Sequence, residues 1–155
     1  MIDFKGKELQ VGRMGQYLVL YNLLKNGYQA YATDEGLPYD IVVDLGEKLI
    51  RLQVKSTLKS RLFNKKYPTP VYCFCVRRCG KGSKRIYKEN EFDGFALVAL
   101  DVEKIAYIKF DKSINKSILL RDKREEYTLN HARTNPYIDE FPLIKFMEEF
   151  NGKLD

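Results

Sequence analysis

Apolar and polar residues alternate along this chain in two rhythms, and each marks a kind of element. Over residues 14–26, Tyr17, Leu20, Tyr21 and Leu24 recur at i, i+3, i+4 and i+7, the stripe of an amphipathic helix. Asn26-Gly27 is its predicted C-cap, because glycine accepts the left-handed conformation that ends a helix. Residues 28–33 then read as a short strand, and Asp34-Glu35-Gly36-Leu37-Pro38 as a loop. Two strands follow, over 40–45 and 48–56, and the two-residue Gly46-Glu47 connection suits a tight hairpin. A basic loop with Pro68 and Pro70 leads to an alternating strand over 71–77, and residues 80–84 form a Gly-rich turn. Further strands are predicted at 95–100 and 105–110. Residues 127–141 show no clear period, and a loop of that length is often functional or disordered. Behind Pro142, the stripe Leu143, Phe146, Met147 and Phe150 predicts a second helix facing the core. No repeat or linker interrupts residues 1–155. The expected architecture is therefore one α/β domain, a mixed β-sheet with flanking helices.

The hairpin has a definite predicted register. With Leu45 opposite Lys48 across the turn, Asp40 falls opposite Gln53, and Lys55 lies on the same face two residues on. The other face collects Ile41, Val43, Leu45, Ile50, Leu52 and Val54, all apolar. A one-residue slip would drive charges into the core, so this pairing is strongly specified. It leaves Asp40, Asp44, Arg51, Gln53 and Lys55 together on the polar side.

Charge gives that polar side a context. The chain of 155 residues carries 27 Lys and Arg against 21 Asp and Glu, a net of +6. Between Lys48 and Lys88 there are 13 basic residues and no acid, which leaves −7 for the remainder. A surface of mixed sign would be the expectation for an ordinary solvated face, so this block points to a polyanion. Lys59, Arg61, Lys65, Lys66, Arg77, Arg78, Lys81, Lys84 and Arg85 are its candidate nucleic-acid contacts, arginines for base edges and lysines for phosphates. His131 and Arg133 are further candidates. Tyr67, Tyr72 and Tyr87 interleave with these charges, either to stack on nucleic acid or to pack the sheet.

Other classes recede. No apolar run approaches the ~18 residues of a membrane span, and the first residues lack a signal-peptide core, so a cytoplasmic protein without membrane partner is expected. Three cysteines make no disulfide framework, and the spacing of Cys73, Cys75 and Cys79 fits no usual zinc site, so buried or half-buried thiols are expected. A lone histidine, His131, excludes sites that need two or three.

A carboxylate and an amide oxygen beside an amine make a coherent chemical set. Both oxygens suit Mg²⁺, and the amine can orient a water and stabilise charge on an attacked phosphate. Pro38-Tyr39-Asp40, then Gln53-Val54-Lys55, behind a helix opening Gly12-Arg13-Met14-Gly15-Gln16, resembles the PD-(D/E)xK nuclease superfamily. The Gln-x-Lys form is most similar to its small group I intron homing endonucleases, of bacterial or phage origin.

The resemblance implies a restriction-endonuclease-like core and a metal-dependent endodeoxyribonuclease. Asp40 and Gln53 would be the metal ligands, Lys55 would serve the attacking water, and Gln16 would be an ancillary residue of the first helix. It implies Mg²⁺, with Mn²⁺ as a substitute, no small-molecule cofactor, and double-stranded DNA as substrate. One site per chain implies a homodimer or homotetramer for double-strand cleavage. Gln53 stands for the commoner Glu, and Gln16 stands where related domains usually have a helix Glu. Each swap removes a negative charge from a cation site; Glu8, ahead of the predicted helix, is an acid that would compensate. Three other readings stay open at this level. The core is shared with Holliday-junction resolvases and restriction enzymes, and the two glutamines also suit a DNA-binding module with a weakened site. The blandest reading of Asp40 and Lys55 is a cross-strand surface ion pair.

Overall fold

A computed structural model of the chain describes residues 3, 5–64, 67–77, 87–114, 116–122 and 135–151. Helix α1 (Glu8–Lys25) begins six residues before the predicted start. Glu8 is thus its first residue rather than a residue ahead of it. The C-terminus is as expected: the amides of Asn26 and Gly27 bond back to the last turn, and Gly27 takes a φ of +85°.

The helix is turned differently from the expectation. Tyr17, Tyr21 and Leu24 are exposed, and Gly15, Val19 and Leu23 form the buried row. Apolar residues occupy two opposite sides of α1, so periodicity alone could not say which side the sheet takes. Gly15 decides it. A Cβ there would fall 1.7 Å from the Ser56 Oγ and 2.9 Å from the Ser56 Cβ, so only glycine allows the helix this close to the sheet.

Strands β1 (Gln29–Ala32), β2 (Ile41–Asp44), β3 (Leu49–Thr57), β6 (Gly94–Ala99) and β7 (Lys104–Lys109) form a five-stranded mixed sheet in the order β1-β2-β3-β6-β7. All neighbours are antiparallel except β3 and β6, which run parallel. The predicted hairpin register holds: Ile41 faces Leu52 and Val43 faces Ile50, and Gly46 carries the turn with a φ of +87°. Central strand β6 is buried along its whole length, as a strand covered on both faces must be.

Its two faces belong to two cores. Ala96 and Val98 meet Val19 and Leu23 of α1, Ile50, Leu52 and Val54 of β3, and Phe146 of helix α2 (Leu143–Glu148). Phe95, Leu97 and Ala99 meet Tyr72, Phe74, Tyr87 and Phe92 on the opposite side. That second side is roofed by a three-stranded sheet, β4 (Arg61–Asn64), β5 (Tyr67–Cys75) and β8 (Ser117–Leu120), in the order β4-β5-β8.

The sequence reading missed most of this roof. The segment read as a basic loop holds β4 and the start of β5. Pro68 and Pro70 are tolerated because pairing with β8 begins only at Tyr72, so no partner on that side needs their amides. Strand β8 reads Ser117-Ile118-Leu119-Leu120, with no alternation of polar and apolar residues to mark it. Within the stretch 127–141, residues 127–134 lie outside the described set. Tyr137 bridges Arg121, and a 3-10 turn spans Ile138–Glu140. Tyr72 and Tyr87 are buried, which favours packing over stacking on a ligand for both. Cys73 is half-buried and Cys75 exposed, both as free thiols, so burial was overestimated for Cys75. Among the described residues, no helix is long and apolar enough to cross a membrane.

Candidate active site

The site forms where β2 ends beside a longer β3. Asp40 is locked to β1, since its carbonyl accepts the Thr33 amide at 2.9 Å while the Thr33 hydroxyl donates to the Tyr39 carbonyl at 2.6 Å. On its other side the ladder slips. The Asp40 amide donates to the Leu52 carbonyl at 2.8 Å, one residue out of step with the Ile41–Leu52 pairing. Asp40 is therefore not a regular partner of Gln53, as the extrapolated register expected. The slip brings its carboxylate to the backbone of β3, where Oδ2 accepts the Val54 N–H at 2.7 Å.

The other carboxylate oxygen belongs to the helix. Gln16 donates from Nε2 to Asp40 Oδ1 at 3.2 Å, a contact made possible by the close seating of α1 at Gly15. Burial pushes the Asp40 carboxyl above its ordinary range, opposed by the Val54 hydrogen bond, the Lys55 charge and the Gln16 hydrogen bond. The site holds a carboxylate that its surroundings do not fully compensate.

Gln53 and Lys55 leave β3 on the opposite side from α1. Gln53 Nε2 lies 3.5 Å from the Val54 carbonyl, so its amide head and that backbone oxygen are neighbours. Which amide atom faces the carbonyl is a matter of a half-turn of the group. The Lys55 ammonium donates to the Arg77 carbonyl at 3.4 Å and sits 5.5 Å from the centre of the Tyr87 ring. Tyr87 is itself held in a cluster with Phe92 and Phe95, so the amine is supported from below by rigid aromatic packing. This polar side of the hairpin is thus flanked by the Arg77 backbone and by the aromatic cluster under Tyr87, with Gln53 and Lys55 half-buried.

The roles of three contributors were not legible in the sequence. Val54 acts through its backbone, which no side-chain pattern reveals. Tyr87 reaches Lys55 across the fold. Arg51, grouped by register with the polar side, is a strut: it pairs with Asp93 at 3.1 Å, bonds the Asn90 carbonyl at 2.8 Å and lies over the Tyr39 ring. The spot ahead of Asp40 opens into a cleft of about 830 Å³ lined by Glu8, Arg13, Gln16, Glu35 and Asp40. Glu8 therefore shares a cleft with Gln16, two turns along the same helix.

Of the basic candidates, Lys59, Arg61 and Arg77 are exposed, and Arg77 touches the site through its carbonyl. Lys65, Lys66, Arg78, Lys81, Lys84, Arg85, His131 and Arg133 lie outside the described residues.

The donor set can be tested against a divalent cation. Among the described residues no three His, Cys, Asp or Glu side chains gather, which leaves one carboxylate and neutral oxygens. The Asp40 carboxylate, the Gln53 amide oxygen and the adjoining Val54 carbonyl are all hard-oxygen donors, the kind a small divalent ion takes while keeping waters. An undercompensated carboxylate beside them fits such an ion.

A helix seated on a mixed sheet, with an acid at the hairpin and an amine two residues past a polar partner, defines the restriction-endonuclease-like class of metal-dependent endonucleases. The family model described as PD-(D/E)XK endonuclease matches residues 7–144, and the chain belongs to that family. Among solved structures, the fold matches a bacterial homing endonuclease, I-Ssp6803I, with a TM-score of 0.64 and 21% identity over 92% of this chain and 91% of that one. No curated protein sequence matches.

Proposed function

We propose that the chain is a Mg²⁺-dependent endonuclease that cuts double-stranded DNA at specific sites, of the homing type. The observation that carries the reading is the fastening of Asp40 to Val54, between the two side chains the chemistry needs. The homing type is supported by the likeness in fold to a homing endonuclease.

In this reading Asp40, Gln53 and the Val54 carbonyl hold Mg²⁺, or Mn²⁺ in its place. When bound, the ion supplies Lewis-acid charge to a phosphoryl oxygen. Gln16 keeps the Asp40 carboxylate pointed by donating to Oδ1. Lys55 has three N–H donors, of which the Arg77 carbonyl takes one. The remaining donors orient the attacking water and stabilise negative charge at phosphorus. Lys59, Arg61 and Arg77 extend positive charge from the site along the roof sheet, where phosphates bind without regard to sequence. One site cuts one strand, so the working form is a homodimer or homotetramer.

The test is incubation with plasmid libraries and with four-way junctions, each with Mg²⁺ or EDTA. Cutting at one linear site in Mg²⁺ alone supports the reading, and cutting of junctions alone replaces it with a resolvase. Retained DNA binding with no cutting, by this chain and by Gln16→Glu, makes it a binding module.

A further inference from the structure

The Lys55 ammonium is not held by the acid beside it. Asp40 gives one carboxylate oxygen to Val54 and the other to Gln16, and among the described residues Lys55 pairs with no carboxylate. Its described partners are the Arg77 carbonyl at 3.4 Å and the Tyr87 ring, whose centre lies 5.5 Å away. The hydrogen bond is long and fixes the head only loosely, whereas the ring lies within the range of a cation–π attraction. Tyr87 is 8% exposed, so it offers no free face to a base. It meets Phe92 edge-on, with centres 4.8 Å apart, and Phe95 at 6.2 Å. Phe95 stands beside Gln53 in the parallel pairing of β3 and β6, which ties the cluster to the strand that carries the amine. The segment after the ring is fastened to the same strand. Arg51 holds Asp93 through Nε and Nη2 at 3.1 and 3.2 Å, and its backbone N–H donates to that carboxylate at 2.7 Å. Ring and amine are thus both anchored on β3.

We infer that Tyr87 is a positioning residue for Lys55: its ring face holds the ammonium at the site without neutralising it. A carboxylate in that place would hold the amine more firmly, but it would cancel the positive charge that an attacked phosphate calls for and draw the N–H donors to itself. A ring face attracts the cation through its quadrupole and carries no net charge. One N–H goes to the Arg77 carbonyl, and the others stay directed at water and phosphate. Because the ring is buried, the attraction acts where the dielectric is low and it is strongest. The gain is geometric. A lysine head rides on a flexible four-carbon stem, and a reacting group held in place acts faster than one that must be gathered in. The inference rests on the nuclease reading for its effect on rate, while the contact itself rests on packing alone.

Single-turnover plasmid cleavage, DNA binding and urea unfolding of Tyr87→Leu, Tyr87→Phe and Phe110→Leu test this on the full chain. Phe110 meets Phe92 and Phe95 at the far end of the cluster, so its truncation shows what damage to the core does by itself. Tyr87→Leu is expected to slow cleavage about 5–30-fold with DNA binding nearly unchanged, which is the loss of a buried cation–π contact expressed as a rate. Tyr87→Phe keeps the ring and should cut nearly as fast as the parent, and so should Phe110→Leu despite its lower urea midpoint. The decisive comparison places Tyr87→Leu in a Lys55→Ala background, where it should slow cleavage no further. Equal slowing in both backgrounds, slowing by Phe110→Leu as large as by Tyr87→Leu, or a Tyr87→Leu that cuts as fast as the parent overturns the inference. Should Tyr87→Leu unfold, NMR of the parent and of Tyr87→Phe, both labelled at lysine Cε, decides without it. The Lys55 methylene signal, identified by its loss in Lys55→Arg, is expected upfield in both proteins because it lies over the ring. An unshifted signal in the parent overturns the inference. An upfield signal in a parent that cuts nothing in Mg²⁺ or Mn²⁺ sinks the nuclease reading and leaves the contact as packing. A parent that cuts but fails the background comparison sinks the inference alone.

Discussion

The carboxylate of Asp40 accepts the backbone N–H of Val54 at 2.7 Å, which ties the acid to the strand carrying Gln53 and Lys55. The bond exists because the ladder between β2 and β3 begins only at Ile41, so no β2 carbonyl meets that N–H and the side chain takes its place. Asp40 therefore has a structural duty separable from its proposed chemical one.

Two substitutions separate those duties. Asp40→Asn keeps an oxygen for Val54 and should leave the urea midpoint nearly unchanged while abolishing cleavage, a loss of about a thousandfold or more. Asp40→Ala leaves the half-buried amide without its acceptor and should cost a further 1–3 kcal/mol or so of stability. Equal unfolding midpoints for the two variants would show that the Val54 bond contributes nothing.

Lys55 should govern rate more than affinity. Its ammonium is anchored by the Arg77 carbonyl and the Tyr87 ring rather than by Asp40. Lys55→Ala is expected to lower single-turnover cleavage by about 10²–10³-fold with DNA binding changed only a few-fold. Cleavage as fast as the parent would rule out the proposed role of the amine.

Gln16→Glu tests the charge count at the site. The change removes the donor to Asp40 Oδ1 and sets a second carboxylate beside one that burial already disfavours. Without metal the protein should lose about 1–2 kcal/mol of stability, and Mg²⁺ or Mn²⁺ should restore more of it than in the parent. The metal concentration for half-maximal cleavage should fall. Thermal unfolding with and without EDTA reads the first effect, and a metal titration of plasmid cutting reads the second.

Much of this arrangement is legible in the residues, and the parts that are not share a cause. The hairpin register could be read because one face must be wholly apolar, and Ile41, Val43, Ile50 and Leu52 leave no other solution. The slip at Asp40 could not, because it turns on which amide finds which carbonyl at a strand end. The orientation of α1 was illegible for a different reason. With apolar residues on two sides, only the space beside Ser56 picks the side with Gly15. Arg51 looked like part of the chemistry because register places it there, whereas its partner Asp93 is distant in sequence.

Alkaline unfolding should report on Tyr107. Its hydroxyl donates to Asn22 Oδ1 at 2.8 Å, joining β7 to α1, and burial pushes its pKa well above the ordinary value. In the unfolded chain the phenol ionises near pH 10, while the folded chain keeps the proton. The folded state then binds more protons, so stability falls as pH rises past about 10, at up to ~1.4 kcal/mol per pH unit from this group. Tyr107→Phe should cost about 1 kcal/mol at neutral pH and flatten the decline above pH 10. A residual alkaline slope is expected from Lys104, whose bonds to Asp122 and Asp139 raise its pKa and are lost when it deprotonates. Urea unfolding at a series of pH values measures both.

The seating of α1 should be sensitive to a single methyl group. Adding a Cβ at Gly15 drives it into Ser56, a buried hydroxyl without a hydrogen-bond partner among the described residues, on the strand that carries Lys55. The helix must then shift away from β3, and Gln16 with it, so Gly15→Ala should cost about 3 kcal/mol and also weaken cleavage. Because the clash is with one side chain, Ser56→Gly made in the same protein should recover most of the loss, although Ser56→Gly alone is mildly destabilising in a strand. The double-mutant cycle should therefore show a favourable coupling of about 1–3 kcal/mol. Recovery of cleavage along with stability would tie the Gln16–Asp40 contact to the helix position. Additive losses would mean instead that the helix is held from elsewhere and that Gly15 is not what sets its distance.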